Sequence, residues 1–263
     1  MPAKLFMLFQ LRAVLEEFDA AAAALDEIRR LQPHAAPLLD DLGQCLAADR
    51  QRSGRRKDPG LAESRRGLGA PPPFQLALVK ASVLYARGDF AGAAQAVAEA
   101  RTLAPKVSGT LTPRSGEQTR FLDLTDSDDL LGPVFETVHP QGVLDLPICQ
   151  LRSVRLRPIN GFQDALWIPA ELELADGQTV HTRLPAQYPG SGTHGFAQVR
   201  LGQVTMWTRK GDVAVGFGQR DLRLTTSAGE SMVGLRQVAW IDFDAPATAA
   251  KKGFWQRLLT RST

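Results

Sequence analysis

Gly88-Asp-Phe-Ala-Gly-Ala-Ala-Gln-Ala-Val-Ala-Glu-Ala-Arg-Thr-Leu-Ala-Pro105 is the stretch that decides the fold of the N-terminal half. It repeats residues 16–33 at a distance of 72 residues, with identical residues at eight of the eighteen aligned positions. Gly88 allows a tight turn, the alanines let two helices approach closely, and Pro105 ends the helix. The stretch therefore predicts the second helix of a helical hairpin that occurs twice.

A partner helix is predicted before each copy of the repeat, because apolar residues recur there at intervals of three and four. The first partner helix contains Leu5 and Phe9, and the second contains Leu76, Val79 and Val83. Helix pairs of this kind are similar to tetratricopeptide repeats. Such stripes are typical of the core between paired helices, and these five residues are also our candidates for contacting a protein partner.

The helical region is short for a repeat array. A third helix is predicted over residues 36–50, so two full hairpins are visible, whereas such arrays usually need three or more units to bury a continuous core. Three explanations stay open: the following β-rich region caps the array, an upstream helix is missing, or a partner supplies one. We take residues 1–105 as a tetratricopeptide-like helical domain.

Positive charge is concentrated within the helical region. Residues 50–66 hold seven lysines and arginines against two acidic residues, while the whole chain carries a net charge of +3. Glycines and the run Pro71-Pro-Pro73 punctuate this stretch, which predicts a solvated basic linker over about residues 51–73. The alternative is nucleic-acid binding from Arg50 to Arg66, but no aromatic residue interleaves the arginines to stack on bases. We therefore expect no nucleic-acid partner.

Short alternating apolar runs take over after residue 105, with the period of two expected of half-buried strands. Examples are residues 154–156, 172–174, 213–217 and 222–224, and the series ends at Val238-Ala-Trp-Ile-Asp-Phe243. Asp176-Gly177 predicts a hairpin turn. The sequence thus predicts an α+β fold, with helical hairpins followed by a mainly antiparallel β-rich domain over residues 106–244.

One short helix is predicted to interrupt the strands. Asp126 or Ser127 would cap it, Asp128 and Asp129 would favour its positive end, and apolar residues follow over 130–138. The same carboxylates raise the alternative of a metal site, but they lack the spacing of a calcium-binding loop. We expect helix capping and no metal site.

The chain offers little for chemistry. Gly190-Ser-Gly192-Thr-His-Gly195 has the glycine spacing of a dinucleotide-binding loop, which keeps a nucleotide-binding or hydrolytic enzyme as an alternative function. Tyr188-Pro189 precedes it where a strand is needed, so a plain glycine-rich loop is the preferred interpretation. The four histidines never pair at metal-ligand spacing, and no set of nucleophile, base and oxyanion donor is visible. We expect no catalytic residue, no cofactor and no enzyme.

Composition indicates the compartment. Cys45 and Cys149 match no disulfide or metal pattern, which favours a reducing compartment such as the cytoplasm. No uncharged apolar run approaches the roughly 18 residues of a membrane span, so stable membrane insertion is not expected. Residues 245–263 have the pattern of a linker and a basic amphipathic tail, which would contact a partner, a membrane surface or its own protein.

Six motifs occur in one order along the β-rich region. The first contains Asp126, Asp128, Gly132 and Pro133. The others are Leu166-Trp167-Ile-Pro169-Ala170, Tyr188-Pro189-Gly190-Ser191, Arg200-Leu-Gly202, Val215-Gly216-Phe-Gly218-Gln219-Arg220 and Val238-Ala-Trp-Ile-Asp242. In this order they resemble the ImpE/SciE/TagJ family of type VI secretion accessory proteins, over about residues 4–244. We interpret these motif residues as structural.

The resemblance implies a cytoplasmic, non-enzymatic adaptor linked to a contractile sheath. It implies binding of the N-terminal helix of the small sheath subunit, and indirect assistance to sheath assembly or to disassembly by a ClpV-type ATPase. Two departures matter. Family members usually begin with a further helical unit, and the family pattern does not predict the tail after Asp244.

Overall fold

Helices come first and strands second along the chain, as the sequence predicts. The structure is a computed structural model that describes residues 2–67 and 69–244. Within these residues, six α-helices precede the first strand: α1 (Pro2–Val14), α2 (Phe18–Leu31), α3 (Ala36–Arg55), α4 (Pro59–Glu63), α5 (Pro73–Ala86) and α6 (Phe90–Leu103). Two short helices lie among the strands, α7 (Phe162–Leu166) and α8 (Ala197–Arg200).

The strands of the described residues form four antiparallel sheets. Their bounds are β1 (Gly109–Pro113), β2 (Thr119–Phe121), β3 (Asp123–Asp126), β4 (Val134–His139), β5 (Gly142–Pro147), β6 (Leu151–Leu156), β7 (Trp167–Leu174), β8 (Thr179–Pro185), β9 (Thr205–Lys210), β10 (Val213–Gly218), β11 (Asp221–Thr226), β12 (Gly229–Gly234) and β13 (Val238–Phe243). One sheet has the order β2-β1-β13-β6-β7-β8, a second has the order β12-β11-β3, and β4-β5 and β9-β10 form two-stranded sheets. The named pairs are all antiparallel, and the predicted turn at Asp176-Gly177 joins β7 to β8. The predicted α+β class is confirmed.

The sequence repeat coincides with two equivalent helices. α2 and α6 both have 14 residues, and both begin at the phenylalanine and end at the leucine of the repeat. α1 packs on α2 and α5 packs on α6, as the two predicted hairpins require. The turns are equivalent too, because Gly88 has a φ of 81° and Glu16, 72 positions earlier, has a φ of 55°. Glycine adopts this left-handed conformation without steric cost, whereas glutamate does not.

Hydrogen bonds from its own side chain hold Glu16 in this conformation. Its Oε2 accepts a hydrogen bond from Ser53 Oγ at 2.8 Å, and its Oε1 accepts one from the Gly192 N–H at 3.2 Å. Among the described residues it is the one non-glycine residue with positive φ. Glu16 therefore ties the α1–α2 corner to α3 and to the loop before β9, against a backbone strain of about 1–2 kcal/mol.

Both hairpins pack directly on the β-rich part. α1, α2 and α3 form one apolar cluster with Trp167, whose ring stacks on Phe9 with 6.2 Å between centroids. α5 and α6 contribute Phe74, Leu78 and Ala100 to the main core of the β-rich part. Of the three explanations for the short array, the structure supports a β-rich region that covers one side of it.

The basic stretch is not a solvated linker, and this corrects the prediction for residues 51–73. α3 continues to Arg55, α4 follows, and α5 begins at Pro73. Arg52 and Arg55 are only 3% and 6% exposed, and both form ion pairs with carboxylates of the β-rich part. Glycine and proline content predicted a linker, but acids on neighbouring strands pair with these arginines and allow their burial.

The helix predicted after Asp126 is also wrong. β3 ends at Asp126, a turn follows, and β4 begins at Val134. Asp126 and Asp128 each accept a hydrogen bond from the backbone N–H two residues ahead, as in Asx turns, instead of capping a helix. The first four residues of β4 are all buried. Because both faces of β4 are buried here, apolar and polar residues do not alternate along it as they do in a half-buried strand. The sequence over residues 130–138 therefore had the pattern expected of a helix.

The sequence also predicts a domain boundary, a C-terminal tail and no membrane span. The predicted domain boundary near residue 105 falls between Leu103, where α6 ends, and Gly109, where β1 begins. The predicted tail over residues 245–263 lies outside the described residues. No described helix combines the length and the apolar content that a membrane span requires.

We predict that Gly192→Ala destabilises the fold, because backbone atoms occupy the space of the added methyl group. A Cβ at Gly192 would lie 2.4 Å from the Val14 carbonyl oxygen and 2.6 Å from the Leu15 carbonyl carbon. Separating these backbone segments should lower the free energy of unfolding by about 1–3 kcal/mol. Gly195→Ala is the matched control, because nothing lies within 4 Å of its added Cβ. Equal urea midpoints for the two variants would contradict the prediction.

Candidate functional site

Largely buried charges meet where α3 and the residues on either side of α4 lie against the β-rich part. Five arginines and five carboxylates form what we call the junction network: Arg52, Arg55, Arg56, Arg65, Arg220, Asp49, Asp126, Asp128, Glu136 and Asp145. Four of the arginines come from the stretch that was predicted to be a linker. Since burying an unpaired charge costs several kcal/mol, each member depends on its partners.

Asp126 joins two further motif residues at one end of the network. Arg220, which is fully buried, donates from Nε and Nη2 to Asp126 Oδ2 at 3.0 and 2.7 Å. The Tyr188 hydroxyl donates to Asp126 Oδ1 at 2.9 Å. Three motifs that are distant in sequence therefore form one hydrogen-bonded unit.

Glu136 lies at the centre of the network. Its Oε2 accepts a hydrogen bond from Arg52 Nε at 2.8 Å, while Arg55 and Arg220 approach its carboxylate at 3.6 and 3.7 Å. Arg52 also donates to Asp49 at 2.7 Å, and Asp49 accepts a hydrogen bond from the Trp167 indole N–H at 2.7 Å. One connected set of bonds thus links α3 to β4 and to the start of β7.

Two more ion pairs extend the network along the basic stretch. Asp145 on β5 accepts hydrogen bonds from Arg55 Nη1 at 3.2 Å and from Arg65 Nε at 2.5 Å. Arg56 donates to Asp128 Oδ2 at 2.6 Å, and its guanidinium lies over the Phe217 ring at 5.3 Å. The segment from α3 to Arg65 is therefore attached to strands at several successive positions.

The network shifts two carboxyl pKa values in opposite directions. Burial acts to raise the pKa of Glu136, but the positive charges of Arg52, Arg220 and Arg55 outweigh it and lower that pKa to about 2. Burial raises the pKa of Asp128 to about 6, and Arg56 offsets only part of this effect. Ionised Glu136 therefore stabilises the fold above its usual pKa, and this contribution is lost as pH falls from that value toward 2. Asp128 has the opposite dependence: its raised pKa favours the folded state at low pH, and this contribution is lost as pH rises through about 6.

The glycine-rich loop does not have the geometry of a nucleotide-binding loop. A single 3₁₀ turn, Ser191–Thr193, follows Gly190. The Gly192 N–H, which would have to face a phosphate, donates to Glu16 instead, and Ser191 Oγ accepts a hydrogen bond from the Gly218 N–H at 2.7 Å. The dinucleotide-loop interpretation is wrong, because these groups connect the loop to α1 and β10.

The nucleic-acid alternative is disfavoured because four of the six arginines in the segment are turned inward. Arg52, Arg55 and Arg65 have side chains that are 3%, 6% and 3% exposed, and each is paired with a carboxylate. A phosphate-binding strip needs exposed cations along its length. The Arg50 to Arg66 segment therefore does not form such a strip in this fold.

The other motif residues make contacts inside the fold. The Gly132 carbonyl accepts a hydrogen bond from the Asp126 N–H, and the Pro133 carbonyl accepts one from the Ile148 N–H. Gly218 has a φ of 93°, and a Cβ there would lie 2.0 Å from the Val204 carbonyl oxygen. Gln219 forms an isolated β-bridge with Gln187, while Pro189 and Gly190 belong to the turn that follows Tyr188. The positive φ and the close approach explain why glycine stands at position 218.

The predicted partner-binding residues divide into buried and accessible ones. Phe9 is fully buried against Trp167, so it is wrong as a partner contact, and Leu5 packs partly against the same cluster. Leu76 on α5 is 55% exposed, and Val79 and Val83 are partly exposed. Of the five predicted residues, the three on α5 therefore form one accessible helix face, while Leu5 on α1 is partly exposed.

The junction network was not predicted, although the sequence carries a signal for it. Glu136 and Asp145 stand inside strongly apolar runs, Val134-Phe-Glu-Thr-Val138 and Val143-Leu-Asp-Leu146, where a carboxylate needs a cation. The excess of positive charge in residues 50–66 was the second half of this signal, because it supplies the cations that these carboxylates need. Within residues 2–67 and 69–244, no three His, Cys, Asp or Glu side chains are grouped so that they could hold a metal ion.

The fold and the junction network define a class of protein in which helical hairpins are attached by buried ion pairs to an antiparallel β-rich part. The profile described as ImpE protein matches residues 118–242. The type VI secretion system accessory component TagJ of Pseudomonas aeruginosa is 34% identical over 243 residues, which covers 90% of this chain and 80% of that protein. The chain therefore belongs to the ImpE family.

A solved structure shares the fold. The crystal structure of protein VPA1032 from Vibrio parahaemolyticus matches with a TM-score of 0.76 and 19% sequence identity, over 89% of this chain and 84% of the other. At this identity the likeness concerns the fold alone. It supports the arrangement of helices before an antiparallel β-rich part.

We predict that Glu136→Gln strongly destabilises the protein, because it leaves buried guanidinium groups without their shared counter-charge. The free energy of unfolding should fall by about 3–5 kcal/mol. Glu171→Gln is the matched control, since Glu171 pairs with Arg157 at 3.4 Å where that arginine side chain is 62% exposed. Loss of such a surface pair should cost under about 1 kcal/mol. Similar urea midpoints for the two variants would contradict a central role for Glu136.

The same variant tests the lowered pKa of Glu136. Because the folded protein holds this carboxylate ionised down to a pKa of about 2, wild type should lose the contribution as pH falls from about 5 toward 2. We therefore expect the stability difference between wild type and Glu136→Gln to shrink over this range. Thermal unfolding at a series of pH values measures it, and a difference that stays constant would refute the shift.

Proposed function

We propose that this chain is a non-enzymatic accessory adaptor of a type VI secretion system that binds the N-terminal helix of the small sheath subunit. Membership of the ImpE family and the similarity to a type VI secretion accessory component support the system. The motif residues that would have been candidates for chemistry engage one another in the junction network. Their use in packing and pairing favours an adaptor over an enzyme.

The exposed face of α5 is the observation that carries this proposal. Leu76, Val79 and Val83 follow one another at intervals of three and four residues, which lines them along one side of two helical turns. Leu76 is 55% exposed although it is a large apolar residue. Helix-in-groove recognition uses apolar anchors at this spacing.

α6 extends this face at the end that carries Leu76. Lys80 of α5 approaches Glu99 of α6 at 3.8 Å, which sets the register of the antiparallel pair. Leu76 and Leu103 lie one turn beyond these two residues at the same end, and Leu103 is 46% exposed. We call Leu76, Val79, Val83 and Leu103 the α5 face. An amphipathic helix would bury its apolar side on the α5 face and keep its polar side in water.

The sheath helix would be met in the cytoplasm, and the ClpV-type ATPase would be affected only indirectly, through the occupancy of that helix. A folded junction network would hold the two hairpins in fixed relative positions while the α5 face is occupied. No nucleic acid and no membrane insertion belong to this function.

We predict that a peptide of the small sheath subunit's N-terminal helix, from the same organism, binds the purified chain in isothermal titration calorimetry. Leu76→Arg should weaken binding at least about tenfold, because it places a charge among apolar anchors. Leu122→Arg is the matched control, since Leu122 is 53% exposed but lies between β2 and β3. The absence of peptide binding to wild type would refute the proposed function, and equal binding by the two variants would refute the α5 face.

A further inference from the structure

α1 carries a second apolar face that points away from the core. Phe9, Ala13 and Val14 are buried on its inner side, as the hairpin requires. On the outer side Leu8 and Leu11 are 37% and 48% exposed, and Met7 is 62% exposed. Leu15, the first residue after α1, is 37% exposed, and its N–H still donates to the Leu11 carbonyl. The sequence pattern of this helix, with apolar residues at intervals of three and four, was attributed to the core between paired helices, but the structure leaves these three leucines accessible. The hairpin requires only one apolar face of α1, so the outer apolar face is a second one that the hairpin does not use.

The spacing of this outer face specifies what covers it. Lys4, Leu8, Leu11 and Leu15 follow at intervals of four, three and four residues, which is the spacing of the seam between two coiled helices. We call these four residues the α1 seam. None of the apolar clusters of the described residues contains Leu8, Leu11 or Leu15. The occupant that matches such a seam is another α-helix with apolar residues at the same spacing.

Charges at the two ends of the α1 seam favour a particular helix. Lys4 is exposed at the N-terminal end, and Glu17 is exposed just after α1 ends. An antiparallel copy of α1, with a two-fold axis between Leu8 and Leu11, sets Leu8 against Leu11 of the other copy. Lys4 then lies beside Leu15 and close to Glu17 of the other copy. A parallel arrangement would bring Lys4 against Lys4, so unlike charges meet only in the antiparallel one.

We propose that the α1 seam pairs with the α1 seam of a second copy of this chain to form a two-fold symmetric dimer. Such an interface is isologous, because the same surface serves both partners. Antiparallel helices also oppose their dipoles, which adds to the favourable charge arrangement. The dimer uses a face on α1, whereas the proposed sheath contact uses α5, so neither inference rests on the other.

Size-exclusion chromatography with light scattering tests the dimer on the full chain over a concentration series. Wild type should approach the mass of two chains as concentration rises. Leu11→Arg should reduce the mass to that of one chain, because it buries two arginines at the centre of the seam. Leu76→Arg is the control that should leave the dimer intact. A wild-type chain that stays monomeric throughout, or a Leu11→Arg variant that remains dimeric, would overturn the proposal.

A charge exchange tests the antiparallel register. Lys4→Glu and Glu17→Lys should each weaken the dimer, since each brings like charges together, and the double variant should restore it. Single variants that dimerise as well as wild type would reject this register. Calorimetry with the sheath peptide separates the two proposals, because Leu11→Arg should bind the peptide as wild type does. Loss of peptide binding in Leu11→Arg, with a monomeric wild type, would assign the α1 seam to the sheath helix and end the dimer proposal.

Discussion

The salt bridge between Arg52 and Glu136 is the contact on which the remaining architecture depends. Arg52 belongs to α3 and Glu136 to β4, and both side chains are almost completely buried at 2.8 Å from each other. Neither charge would be tolerated there without the other. Arg220 also approaches Glu136, and Asp49 also pairs with Arg52. Helices and strands that are separate in sequence are thereby required to fold against one another.

The two hairpins show how one repeat serves two environments. α2 and α6 have the same length and the same first and last residue types, yet different residues form the equivalent turns that precede them. Gly88 forms its turn freely, whereas Glu16 adopts the left-handed conformation and uses its carboxylate to hold Ser53 and Gly192. The first hairpin is thus attached to the β-rich part through a residue that the repeat alone would replace with glycine. The backbone strain at Glu16 indicates that this attachment contributes more than the strain costs.

Errors in the sequence-based predictions share one physical origin. Residues 51–73 were interpreted as a linker because arginines, glycines and prolines usually mark solvated chain. The run after Asp126 was interpreted as a helix because acids before an apolar run usually cap one. In both places the local signal was overridden by pairing across the fold: Arg52 and Arg55 with Glu136 and Asp145, and Asp126 with Arg220. Charges that neutralise each other over long sequence separations cannot be recognised from local composition.

The sequence by itself determined the repeated hairpin, the change from helices to strands near residue 105, the strands β6, β7, β10, β11 and β13, and the family. These features depend on periodicity, turn residues and ordered motifs, all of which are local properties of the chain. Only the tertiary structure decided which apolar stripes face inward and which stay exposed. Phe9 and Leu11 belong to one helix with the same kind of pattern, but Trp167 covers the first and no described residue covers the second in the same way. Burial is a property of neighbours that are distant in sequence, so the surfaces available to a partner could be read only from the fold.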